Sequence, residues 1–296
     1  MKIFALVIVL FLTLALALAA YVGGLNEAQK KYAAGLELVE QGLLEEAISE
    51  WDEVIHLDTL DAIVYYYRGW AYNELGQLER AIGDYNKAIR LNPQFAMAYY
   101  NRGSAYGKLG QYERAIEDYD EAIRLNPQLV QTYNDEASHL DPQFAQAYNN
   151  RGLTYYKLGQ LERAIEDYEE AIRLDPQLAK ACYNRGTAYS KLGQHERAIQ
   201  DQDQAIKLNP QYAKAYNNRG FAYSKIDQHE QAIEDYEEAI RLDPQLAAAH
   251  VNRALANIFL SRDAEAQKDI DRALELGFDP LLLEEWVEYA KQLPQR

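Results

Sequence analysis

The sequence predicts an all-α solenoid of antiparallel helix pairs. Three observations predict it. Arg-Gly recurs at a spacing of 34 residues, at Arg68-Gly69 and Arg102-Gly103, then at Arg151-Gly152, Arg185-Gly186 and Arg219-Gly220, with Arg253-Ala254 as a weakened copy. Prolines at 93 and 127, and again at 142, 176, 210 and 244, keep the same beat with one interruption. Within each period two points are always small, which lets two helices approach closely. A fixed period of this length means a stack of small units, each burying its apolar face on the next.

The first 25 residues are of another kind. Lys2 precedes an uncharged, mostly apolar run from Ile3 to Val22, which predicts an N-terminal hydrophobic helix. Twenty residues at about 1.5 Å each match a bilayer core of about 30 Å. A membrane anchor and a cleaved signal peptide both fit residues 1–25. The length favours an anchor, because signal apolar regions usually run about 7–15 residues; Ala17-Leu18-Ala19 would serve for cleavage. The anchor reading makes this a single-pass membrane protein held through residues 3–22. The signal reading makes it secreted, periplasmic or lumenal.

Seven units then align without gaps, three over 28–129 and four over 145–280. With Ala96 as position 1, position 8 is Gly35, Gly69, Gly103, Gly152, Gly186, Gly220 and Ala254. Position 20 is alanine in all seven, Ala47 through Ala266. Position 15 is glycine in five units and Asp227 and Ser261 in the last two. A left-handed residue there ends the first helix, A, before the second, B. Asn26 with Gln29 predicts a capping box at the start of the first unit. Asx-Pro pairs such as Asp175-Pro176 close most units, and the Asx is expected to cap the next helix with Pro at its first position.

Position 7 is Arg and position 23 Asp in six units, Arg68/Asp84 through Arg253/Asp269, which predicts an ion-pair ladder tying helix A to a helix B. Gln202 stands where other units have Trp, Tyr or Ile, so looser packing is expected in unit five. Residues 130–144 resemble a unit that lost its middle; one reading expects a short helix over 128–139, the other a loop that hinges the two blocks. Residues 281–296 are expected to form a C-terminal capping helix.

The chain carries 46 acidic against 30 basic residues, a net charge of −16. Nucleic-acid binding, which needs clustered Lys and Arg, is disfavoured. One cysteine, Cys182, excludes an internal disulfide and leaves no Cys-based metal site. No nucleophile elbow, phosphate loop or metal spacing appears. No catalytic residue, metal or cofactor is expected.

The stretch AQAYNNRGLTYYKLGQLERAIEDYEEAIRLDP, residues 145–176, resembles the tetratricopeptide repeat. Tyr148, Gly152, Tyr155, Ala164, Tyr168, Ala171 and Pro176 match the family's signature positions. The subtype is similar to repeats abundant in bacteria, particularly cyanobacteria, which extends the expected assembly role to a photosynthetic membrane. The resemblance implies a right-handed superhelix whose concave wall is made by the A helices, and a protein-interaction role. On that wall Asn101, Asn150, Asn184, Asn218 and Asn252 share position 6. A row of amides can pair with the backbone of an extended peptide; the alternative is that these amides are satisfied by their neighbours. Lys157, Lys191 and Lys225 at position 13, with Lys180 and Lys214 at position 2, make the wall of units four to six basic. Lys108 shares position 13. The expected ligand is a protein or peptide segment, extended or acidic, and the expected role is a scaffold aiding complex assembly. Tyr66, Tyr67, Trp70, Tyr99 and Tyr100 supply aromatic anchors in the front units. Part of a chaperone-tail clamp is echoed by Asn150, Lys180 and Asn184, but no unit has Lys at position 5 or Asn at position 9, which disfavours that partner. A self-associating structural protein, a homo-oligomer using convex or terminal faces, is the other reading.

Overall fold

The structure, a computed structural model, describes residues 26–57, 61–125 and 142–292. Among these it holds fifteen helices and no strand. The chain divides into two compact bodies, residues 1–138 and 139–296. In the first lie α1 (Glu27–Glu40), α2 (Leu44–His56), α3 (Ala62–Glu74), α4 (Leu78–Leu91), α5 (Ala96–Lys108) and α6 (Tyr112–Leu125). In the second lie α7 (Pro142–Lys157), α8 (Leu161–Leu174), α9 (Ala179–Lys191), α10 (His195–Leu208), α11 (Ala213–Lys225), α12 (His229–Leu242), α13 (Ala247–Phe259), α14 (Asp263–Glu275) and α15 (Pro280–Gln292). Odd-numbered helices α1 to α13 are the A helices and even-numbered ones the B helices. The N-terminal hydrophobic segment and the helix expected over 128–139 lie outside the described residues.

Each A helix packs on its own B helix, and each B helix on the next A helix of its body. The A–B contact is set by the small columns. A Cβ built on Gly220 would stand 2.8 Å from Tyr236 Cε1, and on Gly152 2.8 Å from Tyr168 Cε1. The position-24 aromatic thus lies flat over a glycine. Position-20 alanines from Ala47 to Ala266 are all buried. Helix A ends in a residue with positive φ, +75° at Gly159 for example, and Gln160 N–H donates to Tyr155 O at 2.9 Å, closing a Schellman turn. Asp227 and Ser261 take the same conformation at φ 60° and 56°.

The ladder forms within every unit that carries it. Arg151 Nε and Nη2 donate to Asp167 Oδ2 and Oδ1 at 2.9 and 2.6 Å, and the same fork recurs at Arg68, Arg102, Arg185, Arg219 and Arg253. In Arg68, Arg102 and Arg219 the third donor reaches back to the preceding unit. Arg68 Nη1 meets Asp52 at 2.5 Å, Arg102 Nη1 meets Asn86 at 2.5 Å, and Arg219 Nη1 meets Asp203 at 2.6 Å. One guanidinium so binds three helices. In the first unit, where position 7 is Ala34, Lys31 pairs instead with Glu53 at 2.5 Å.

Two local expectations are corrected. Asn92, Asp175, Asn209 and Asp243 do not cap the following helix. Each accepts from the backbone N–H two residues on, at 2.9–3.1 Å, in an Asx turn across the proline. The next helix begins four residues later with no side-chain cap. The turn is too long for the Asx to reach the helix. Among the described residues Asp279 behaves as expected, accepting from Leu281 and Leu282 N–H ahead of α15. Nor is unit five loose at Gln202. Its side chain is 1% exposed, and Nε2 donates to Tyr183 O at 3.1 Å. Trp51 makes the equivalent bond to Tyr32 O at 3.4 Å. The glutamine fills the slot, and its buried Oε1 has no partner.

Candidate binding surface

Within each body, successive A helices touch, whereas no pair of B helices approaches as closely. The A helices therefore form the inner wall of each body. Four side-chain bonds along this wall share one step of 35 residues. Asn101 Nδ2 donates to Tyr66 Oη at 3.0 Å, Asn184 Nδ2 to Asn149 Oδ1 at 2.9 Å, and Asn252 Nδ2 to Asn217 Oδ1 at 3.0 Å. Lys108 Nζ donates to Asn73 Oδ1 at 3.0 Å by the same step. A residue of one unit thus bonds the residue one position earlier in the unit before.

This geometry revises the asparagine ladder. All five asparagines stand on one column, but Asn184 is only 8% exposed, its amide spent on Asn149 between units. Asn218 donates to Thr187 Oγ1 and accepts from Asn217 Nδ2 at 3.2 Å. Asn150 accepts from Asn149 Nδ2 at 3.2 Å. The column is first of all a row of joints. Tight stacking brings neighbouring A helices close enough for these amides to bond one another.

The lysines fare differently. Lys157, Lys180, Lys191, Lys214 and Lys225 are all exposed. Lys191 Nζ stands 4.9 Å from the centroid of the Tyr156 ring, one unit back, and Lys225 Nζ 5.1 Å from that of Phe221. These aromatic faces hold the ammonium groups against the wall. The A helices α5, α7, α9, α11 and α13 contain no Asp or Glu, whereas α8 alone carries five acids. The position-7 arginines are neutralised by their buried aspartates, so the accessible charge of the inner wall is that of its lysines. The −16 of the chain is borne largely by the B helices.

The front aromatics form an interior cluster. Tyr66 packs against Tyr67, Tyr85 and Phe95 at 5.2, 6.2 and 4.8 Å between ring centroids. Burial pushes its hydroxyl well above the usual phenol range, and Tyr67, which also meets Tyr32 and Trp51, is pushed up to about 12. Trp70 packs partly into the same core. Desolvation likewise pushes the buried Cys182 thiol up to about 11, away from reactivity. No group of metal-binding side chains occurs among the described residues. The exposed apolar residues of α15 went unread in the sequence. Their pattern is one of a helix with two apolar faces, and only contacts reveal which face the core takes.

A stack of helix pairs with one charged wall and an apolar spine defines an α-solenoid of the kind that holds other macromolecules. The tetratricopeptide repeat model matches residues 96–129, 145–178, 179–212 and 213–246, and a second TPR repeat model matches 69–110. Together they span more than half of the chain, which belongs to the tetratricopeptide repeat family, a family of protein–protein interaction scaffolds that are in general not enzymes. Among solved structures it is similar to a tetratricopeptide repeat protein of Parabacteroides merdae, at 18% identity and TM-score 0.65, over 89% of this chain and 98% of that one. It is also similar to YrrB, described as a TPR protein with an unusual peptide-binding site, at 24% identity and TM-score 0.52, over 67% of this chain and 95% of that one. MamA is similar at 27% identity and TM-score 0.51, over 67% of this chain and 96% of that one. No curated protein matches the sequence.

Proposed function

We propose that the chain is a membrane-tethered scaffold that holds an extended, acidic segment of a partner protein along the A-helix wall of residues 145–246, and so aids assembly of a complex. One observation carries this reading: the wall presents five exposed lysines and no carboxylate, on a chain that is otherwise acidic. A positive strip framed by negative surface draws acidic segments to the strip itself. The peptide site described for YrrB supports a wall of this fold as a place for peptides. The asparagines contribute by fixing the spacing of the wall. The tether rests on the apolar run Ile3–Val22; among the described residues no helix is long and apolar enough to cross a membrane.

The test uses the full chain in detergent and a fluorescent polyglutamate peptide. Binding is expected by anisotropy, with affinity falling as salt rises. Lys191→Glu combined with Lys214→Glu and Lys225→Glu is expected to weaken it about tenfold or more. Equal affinity for the triple variant would refute the groove reading. For the tether, the chain is expected to float with membranes in a density gradient and resist carbonate extraction. Its recovery in the supernatant would refute the anchor and favour an exported adaptor.

A further inference from the structure

The last helix, α15, buries one face and leaves another bare. Leu283 and Ala290 are each 2% exposed, and with Val287 they pack on Val251, Leu255 and Ile258 of α13. On the opposite side Leu281 is 78% exposed, Tyr289 64%, Trp286 39% and Leu282 38%. Their spacing places all four within about 140° of the helix circumference. Trp286 is steadied by Phe278, with ring centroids 5.7 Å apart. Exposed apolar residues are ordinary when scattered; four in one stripe on a terminal helix mark an interaction surface.

The charges beside the stripe say what it fits. Glu285 stands within it, and Glu284 and Glu288 line one border. All three are exposed, and none meets a cation among the described residues. Lys291, at the far end, is the one cation of the helix. A second copy would set glutamate against glutamate across the stripe, and an anionic lipid surface would be repelled in the same way. From this complementarity we infer that the outer face of α15 is a second docking surface, and that its occupant is a basic amphipathic helix of a partner protein, with an apolar stripe flanked by Lys or Arg. Leucine-sized side chains seat against Leu281, Leu282 and Trp286, and the flanking cations meet the unpaired glutamates. The face lies apart from the lysine wall, so its occupant has the opposite charge to the segment proposed there.

The experiment uses the full chain and a synthetic leucine–lysine peptide with leucines at helical spacing. Its scrambled isomer and its leucine–glutamate counterpart serve as controls. Binding of the leucine–lysine peptide alone is expected, and Leu281→Ser with Tyr289→Ser should weaken it about tenfold. Both side chains point away from the core, so circular dichroism and melting temperature should stay unchanged. Removing two exposed acids elsewhere, by Glu166→Gln with Glu169→Gln on α8, should leave the affinity as it was. So should the lysine variants of the inner wall, which separates this proposal from the groove reading. Equal binding by the serine double variant overturns the inference. So does a concentration-dependent doubling of mass abolished by the same substitutions, which assigns the face to a second copy. Binding of neutral-lipid vesicles through the face, without peptide binding, overturns it as well.

Discussion

Asp167 shows how much one side chain carries. It sits buried between two helices and accepts both parallel donors of Arg151. Asp167→Asn removes the charge that balances a mostly buried guanidinium, and should cost about 3 kcal/mol in denaturant unfolding. Gln202 offers the converse. Restoring the tyrosine that units two, three, four and six carry, by Gln202→Tyr, removes an orphaned buried carbonyl and should stabilise by about 1–2 kcal/mol. His229 titrates below the ordinary imidazole value of 6.5, because it is desolvated where it stacks on Phe259 at 4.8 Å. The sign is fixed by that direction. The unfolded chain binds its proton at higher pH than the folded one. Stability is therefore complete above 6.5 and is lost as pH falls from there through the folded value. His229→Gln should flatten the melting temperature across that window. The ion-pair ladder was legible in the sequence because both partners repeat without exception from unit two onward. The fate of Asn184 and Gln202 was not. A polar residue in a column reads the same whether its neighbour is water, a ligand or a backbone carbonyl 3.1 Å away.

At the scale of the helix pair, the column of position-8 glycines sets the distance between A and B. Gly220→Ala would gain about 1 kcal/mol of helix propensity. The new methyl would meet the Tyr236 ring at 2.8 Å and Ala232 O at 3.0 Å. Neither can retreat in a close-packed layer, and overpacking of about 1–3 kcal/mol outweighs the gain. A net loss of stability by calorimetry is expected. The turn after helix A gives the opposite prediction. Ser261 holds φ at 56° in a conformation that L side chains disfavour, and Ser261→Gly should stabilise by about 1 kcal/mol. Helix boundaries and pairing were legible here, since small residues and turn residues keep fixed places. The start of each A helix was not, because the Asx residue of Asp175-Pro176 satisfies a turn N–H rather than a helix end. Nor was the seat of α15. Its buried face closes on Val251 and Ile258 of α13 together with Ala266 and Ala273 of α14, and two apolar faces of similar strength gave no way to choose between them.

Over the molecule, energy is distributed along a line. Within each body a unit touches chiefly its neighbours, so a local weakness stays local. Hydrogen exchange in the Gly220→Ala variant should quicken in α11, α12 and α13, while the amides of α1 to α4 keep their protection. Charge is distributed across the line instead: from α5 to α13 the A helices carry no acid, and the acids ride on the B helices. That division was legible once the columns were aligned, though total composition hid it.

The arginine whose third donor reaches into the unit before has a consequence for how such chains arise. The joints of Arg68, Arg102 and Arg219 recur at one offset, 16 residues back, on Asp52, Asn86 and Asp203. Tandem duplication of one whole 34-residue segment in the gene would bring a finished interface with it, and clean excision would leave one behind. Recombination can therefore lengthen or shorten the protein without inventing new contacts, whereas a break out of phase would strand the guanidinium.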